Sequence, residues 1–281
     1  MIVGRTIRCI LFDLGSTLWQ HKDQALTLAS ERASNRFAAS VFRHYAGSDV
    51  FPGIDGEALG ELLRKGVEKQ IRTRARQHPG YEPDFAQAAM EALQDAGMPK
   101  ADCELGEAIY EALRVRIPDS RSLFADTCST LATLKERGYI LGVVTNRHYG
   151  GVPFHEDLQA MGLLDYFDLQ HMAISADLGI RKPHPAIFLH ALHGLNVAPQ
   201  AAAMVGDSLK ADIVGARMLN MLAIWMPKAS LREEVKGNDL FTYVSSREIE
   251  KGHYTPEMLK PDAIIERLSD LLDLPAGSAT S

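Results

Sequence analysis

Six residues of this chain have the chemistry to hold a divalent cation and a phosphate-sized anion side by side: Asp13, Thr145, Asn146, Lys182, Asp207 and Asp212. They fall at or just after short apolar runs: Asp13 with Thr17, Thr145 with Asn146, Lys182 after Gly179, and Gly206-Asp207-Ser208 with Asp212. A single acid in such a place carries little weight, because Asp is a common turn former and helix cap. Three carboxylates, a lysine and two hydroxyl or amide donors at one edge are a different matter. Together they form an incomplete shell for a hard cation, with a gap for an anion beside it.

The elements that must bring them together are legible as alternating apolar runs and helical patterns. Ile7–Phe12, Tyr139–Val144, the stretch around Asp168–Ile174, Ala202–Val205 and Met221–Trp225 read as buried strands. Strands alternating with helices predict a doubly wound, Rossmann-like parallel sheet, which binds its ligands beyond the carboxyl ends of the strands. Leu131, Leu134 and the closing Gly138 place a helix before the second strand. From Gln24 to Pro118 no strand run occurs. Leu26, Ala29, Ala33, Phe37, Val41 and Tyr45 follow helical spacing, and three more stripes follow: Leu59, Leu63, Val67, Ile71; Phe85, Ala89, Leu93 in a helix starting near Asp84; and Leu105, Ile109, Leu113, Ile117. The α/β class thus carries an inserted all-helical cap, over 23–118, with the core formed by 1–22 and 119–281. Over Lys228–Lys260 the periodicity weakens and leaves a hairpin, a loop and a subunit contact open. Pro261–Leu274 predicts a final helix, and Ala276–Ser281 a frayed tail. Asn220 stands where a helix-closing residue in the left-handed conformation is expected.

At 281 residues the chain has room for two domains, and 46% hydrophobic with 23% charged residues is the balance of a globular protein. A formal charge of −6, from 30 basic and 36 acidic residues, gives no bulk attraction to nucleic acid or anionic lipid. No apolar run approaches the roughly 20 residues of a membrane span. The N-terminal run, with Arg5 and Arg8, leads straight into Asp13 and does not resemble a signal peptide. A cytoplasmic location is the expectation. Cys9, Cys103 and Cys128 are odd in number and widely spaced, so they are expected to be reduced.

Four stretches carry a family resemblance: Phe12-Asp13-Leu14-Gly15-Ser16-Thr17-Leu18; Val143-Val144-Thr145-Asn146; the segment from Ser175 to Phe188 containing Lys182; and the segment from Val205 to Ala216 containing Asp207 and Asp212. In this order they resemble the haloacid dehalogenase (HAD)-like hydrolase superfamily, and the helical insertion looks like its first cap class. The resemblance implies Mg2+-dependent phosphoryl transfer from a small phosphorylated metabolite. Asp13 would be the nucleophile that forms an aspartyl-phosphate. Thr145 and Asn146 would hold phosphoryl oxygens, and Lys182 would neutralise charge. The metal would sit on Asp13, the Gly15 carbonyl, Asp207 and Asp212. Trp19 and His21, with Gly15 and Arg147, are the candidate substrate contacts. Neither nucleic acid nor membrane is expected as a partner, and the chain would be a monomer or homodimer. Dehalogenating relatives lack the acidic fourth stretch, which this chain keeps.

One position departs from the family pattern. Family phosphatases carry a second Asp two residues after the nucleophile, and that position is Gly15 here. That Asp protonates the leaving alcohol and activates water, work typically worth about 10²–10⁴ in rate. Slow or altered turnover is therefore expected, with His21, His148 or His184 as candidate substitute bases. Two alternatives follow from Gly15: a phospho-ligand-binding or regulatory protein with vestigial activity, and a phosphonatase-like C–P hydrolase using Lys65 or Lys69 as a Schiff base. The row Arg64, Lys65, Lys69, Arg72, Arg74, Arg76 reads as a solvated helix face.

Overall fold

In the computed structural model, residues 6–47, 50–235, 240–250 and 254–273 are described. The chain divides into two units, Met1–Gln20 with Ser122–Ser281, and His21–Arg121. The tail over 276–281 and Arg5 lie outside the described residues.

The inserted unit is helical: α1 (Gln24–Ala46), α2 (Gly56–Gln77), α3 (Phe85–Asp95), α4 (Cys103–Ala112) and the single turn α5 (Ile117–Ser120). One device opens the first four. Asp23, Asp55, Asp84 and Asp102 each accept a hydrogen bond from a first-turn backbone N–H, which is worth about 1 kcal/mol per cap. The helix predicted through Ile117 breaks after Ala112.

The α1 stripe read from sequence is the outward face. Leu26, Phe37 and Tyr45 are 56%, 60% and 51% exposed, whereas Asn35, Ala38, Ala39 and Phe42 are buried. Small residues set the contact. Gly60 of α2 lies so close to α1 that a Cβ there would stand 1.9 Å from the Asn35 carbonyl oxygen, an approach only glycine allows. The basic row of α2 is largely engaged within the unit. Arg64 donates to Asn35, Ser34 and the Leu113 carbonyl, while Lys65, Arg72 and Arg74 pair with Glu61, Glu68 and Glu91.

The strands are β1 (Cys9–Phe12), β2 (Trp19–His21), β3 (Arg121–Leu123), β4 (Ile140–Thr145), β5 (Ala173–Ile174), β6 (Ala202–Gly206), β7 (Leu222–Trp225) and β8 (Ala263–Ile264). β2 pairs with β3, and the other six form one parallel sheet in the order β5-β4-β1-β6-β7-β8. The helices of this unit are α6 (Thr127–Glu136), α7 (Gly151–Ala160), α8 (Ser175–Leu178), α9 (Pro185–Gly194), α10 (Val214–Met218), α11 (Ala229–Glu234), α12 (Leu240–Ile249) and α13 (Pro256–Leu259). Every residue of β1, β6 and β7 is buried, as parallel strands with covered faces require. Leu11, Phe188, Met204 and Trp225 share one apolar cluster. No helix among the described residues is long and apolar enough to cross a membrane.

Three further expectations are corrected. The strand around 168–174 shrinks to β5, because Asp168 accepts from the Gln170 N–H and caps a 3₁₀ turn over Leu169–His171. The 228–260 region is helical where described. The helix expected over Pro261–Leu274 does not form among the described residues: Asp262 donates its N–H to the Ala223 carbonyl and accepts the Ala223 N–H on its carboxylate, so 263–264 joins the open edge of β7. Only then does a 3₁₀ turn, Leu268–Asp273, follow.

Candidate active site

β1 lies between β4 and β6, so strand order reverses around it and opens a crevice at the carboxyl ends. Phe12 is in register with Val143 on one side and Val205 on the other. Asp13 therefore follows directly on the end of β1 beside the last residues of its neighbours, Thr145 of β4 and Gly206 of β6, with Asp207 next after Gly206. A hydrogen bond from the Asp13 N–H to the Val205 carbonyl (2.9 Å) fixes the first of them.

Carboxylate oxygens of Asp13, Asp207 and Asp212 lie within 4.8 Å of one another. Lys182 enters this cluster from the loop between α8 and α9, its side chain 2% exposed. Its Nζ donates to Asp13 Oδ1 and Asp212 Oδ1, both at 2.7 Å. The Thr145 hydroxyl donates to Asp13 Oδ1 at 3.3 Å. Asp212 also accepts the Ser208 N–H (2.9 Å) and lies against Gly206, where a Cβ would stand 2.2 Å from its Cγ. Any side chain at 206 would displace the carboxylate.

One buried ammonium cannot neutralise three carboxylates. Burial, Asp13 and the other acids push Asp207 up to about 6 and Asp212 up to about 7, against the pull of Lys228 and Lys182. Burial lowers Lys182, but Asp13 and Asp212 outweigh it and its pKa is raised. The cluster thus lacks positive charge, and its all-oxygen donor set suits a hard divalent cation.

Asn146 is tied to the loop that carries Lys182. Its side-chain oxygen accepts the Lys182 N–H (2.8 Å) and its amide donates to the Lys182 carbonyl (3.2 Å), so the side chain clamps the Lys182 backbone. Trp19 is fully buried, with its indole N–H lacking an acceptor among the described residues. Gly15 bridges to Trp19 across the turn after Asp13. His21 falls in the other unit and is exposed. Among the suggested bases, His184 accepts the Ala186 N–H at the start of α9. Burial first, then the charges of Arg147 and Arg181, lower the His148 pKa to about 4, which weakens it as a proton carrier. Lys65 and Lys69 are exposed rather than desolvated, unlike an imine-forming lysine.

Supporting residues had no signal in the sequence. The Ser175 hydroxyl accepts the Arg147 N–H (2.8 Å) and donates to the Arg147 carbonyl (3.1 Å). Trp225 donates its indole N–H to the Asp207 carbonyl (2.8 Å). Lys228 pairs with Asp207 at 3.2 Å. Nothing in composition marks these partners, because each acts through long-range packing.

The chain is similar to known proteins over most of its length. The haloacid dehalogenase-like hydrolase profile matches residues 7–220, and a HAD-hydrolase-like profile matches 179–271. A phosphoserine phosphatase of Thermus thermophilus is 40% identical over 147 residues, 51% of this chain and 54% of that protein; the chain thus spans about half the length of this curated relative. A phosphoglycolate phosphatase of Nitrosococcus oceani is 35% identical over 57% of this chain and 69% of its own. A HAD phosphatase structure from Thermococcus onnurineus shares the fold with TM-score 0.58 and 24% identity over 98% of this chain and 100% of that one. With a profile that runs over Asp13, Thr145, Lys182, Asp207 and Asp212 of one crevice, the chain belongs to the haloacid dehalogenase-like hydrolase family.

Proposed function

We propose that the chain hydrolyses a small phosphorylated metabolite, with Asp13 as nucleophile and a divalent cation, Mg2+, as cofactor. The observation that carries this is the buried cluster in which Lys182 bridges Asp13 and Asp212 while three carboxylates stand within 4.8 Å. Relatives named as phosphatases of phosphoserine, glyceraldehyde 3-phosphate and phosphoglycolate support the same substrate class.

In the first step an Asp13 oxygen forms a bond to phosphorus as the bond to the leaving oxygen breaks. Water then attacks the aspartyl-phosphate, releasing phosphate and restoring the carboxylate, so one hard displacement becomes two easier ones. Lys182 Nζ, held at 2.7 Å from Asp13, offsets the charge that carboxylate and phosphoryl group bring together. The Thr145 hydroxyl, already on Asp13 Oδ1, is placed to turn toward a phosphoryl oxygen. Asn146 holds the Lys182 backbone and so acts as a positioning residue. Asp13, Asp207, Asp212 and the Gly15 carbonyl would hold Mg2+, which when bound supplies charge stabilisation to the phosphoryl group.

No carboxylate stands at position 15 to protonate a leaving alcohol, so groups that leave without a proton should react faster. Purified protein with magnesium is expected to hydrolyse p-nitrophenyl phosphate or acetyl phosphate, and Asp13→Asn to lose that activity. Equal background in both proteins would reject catalysis and favour the second reading that Gly15 motivates, a phospho-ligand-binding protein.

A further inference from the structure

Arg147 follows directly on Asn146, and nothing in the phosphoryl-transfer reading uses its charge. Its guanidinium carbon lies 5.8 Å from the Trp19 ring centroid, 5.4 Å from that of Tyr149 and 5.9 Å from that of Phe154. Three aromatic faces surround one cation, an arrangement that holds a guanidinium without neutralising it. Its backbone is pinned at both N–H and carbonyl by the buried Ser175 hydroxyl. No carboxylate of the described residues pairs with it. The surroundings are short of acceptors as well: Arg147 Nε, the Trp19 indole N–H and the Thr17 hydroxyl are buried without a partner among the described residues. A second arginine, Arg181, shares this neighbourhood, since both charges act on His148.

The cage also has a definite place relative to the chemistry. Trp19 closes the turn that begins at Asp13, through the Gly15 bridge and the hydrogen bond from Ser16 N–H to the Trp19 carbonyl (2.8 Å). Arg147 continues the loop that carries Thr145. The guanidinium therefore spans the two loops that flank the phosphoryl position. A rigid fork in contact with the Tyr149 hydroxyl but with no carboxylate partner among the described residues, and with its Nε unpaired, suits a planar anion, which it can engage through two parallel hydrogen bonds. A monoanion balances its single charge in a half-buried setting at less desolvation cost than a second dianionic phosphate would.

We propose that Arg147 is a substrate-binding residue that selects phosphate monoesters bearing a carboxylate close to the phosphoryl group. The assignment rests on the phosphohydrolase reading above and narrows its substrate class.

A matched pair of probes tests it: 2-phosphoglycolate, and 2-hydroxyethyl phosphate, which replaces the carboxylate by a hydroxymethyl group. The wild-type protein with magnesium should prefer the acid in kcat/KM, and Arg147→Gln should reduce the acid-to-neutral ratio by about 10- to 100-fold, the usual worth of a charge-assisted hydrogen-bond pair. Arg147→Lys, which keeps charge but loses the fork, should fall between them. A ratio unchanged by Arg147→Gln would overturn the proposal, because a merely structural arginine would depress both substrates alike. Calorimetry on Asp13→Asn gives a reading independent of turnover: tighter binding of 2-phosphoglycolate than of 2-hydroxyethyl phosphate, lost on adding Arg147→Gln. That binding difference in a protein without turnover would reject the hydrolase reading and keep the carboxylate site, whereas turnover without selectivity would do the reverse. A preference for 1,2-ethanediol bisphosphate over 2-phosphoglycolate would also overturn the choice of a carboxylate.

Discussion

A side chain at position 15 would meet little resistance: a Cβ built there has a single neighbour within 4 Å, Asp13 Oδ2 at 4.0 Å, and the backbone is not left-handed. Glycine is therefore not imposed by space, in contrast to Gly206, where a Cβ would strike Asp212 at 2.2 Å. The difference makes Gly15→Asp a clean substitution. If the absent carboxylate is the only defect, this variant should hydrolyse alkyl phosphates about 10²–10⁴-fold faster and gain much less on p-nitrophenyl phosphate, whose leaving group needs no proton. Steady-state assays on both substrates check this, and equal gains on the two would show that the carboxylate does not act by protonating the leaving group. Asp13, Lys182, Asp207 and Asp212 were legible because acids and a lysine recur at the ends of several apolar runs, where any one of them alone would read as a turn former or helix cap. Ser175 and Trp225 were not, since one hydroxyl and one indole N–H gain meaning only from backbone groups distant in sequence.

At the scale of elements, periodicity identified the helices of the inserted unit and the buried stripes of α2, α3 and α4, but not the face that α1 buries. α1 carries apolar residues on two sides, and the side that packs is chosen by how closely another backbone can approach. Gly60 permits that approach against Asn35. Gly60→Ala should accordingly destabilise the protein by about 1–3 kcal/mol through overpacking, despite the better helix propensity of Ala by about 1 kcal/mol. A urea midpoint equal to or above that of the wild type would contradict the close contact. The C-terminal misreading has a similar origin. Ile265, Leu268 and Leu271 repeat like a helix, yet the unpaired edge of β7 offers backbone partners to 262–265, and satisfying buried N–H and carbonyl groups outweighs local pattern.

For the molecule as a whole, the under-neutralised carboxylates tie stability to pH and to metal. Asp207 and Asp212 lie near 6 and 7, mainly through burial, while an unfolded chain ionises both near about 4. Their folded values are raised, so the stability they contribute is fully present below pH about 4 and is lost as pH rises through 6 and 7. Thermal melts of metal-free protein should show this downward component between pH 5 and 8. Magnesium should raise the melting temperature more at pH 8 than at pH 5, because a cation binds the ionised form. A larger shift at pH 5 would contradict the cluster as its site.

The position of β1 has a consequence for how the chain is made. Cys9–Phe12 leaves the ribosome before both of its neighbours in the sheet, 140–143 and 202–205. Until translation has passed the later of these, a fully apolar tetrapeptide with bare hydrogen-bonding edges waits in the nascent polypeptide. The helical insertion, whose contacts are closer in sequence, is free to form meanwhile. The same arrangement that puts Asp13 at the centre of the crevice leaves its strand waiting for both partners long after it has been synthesised.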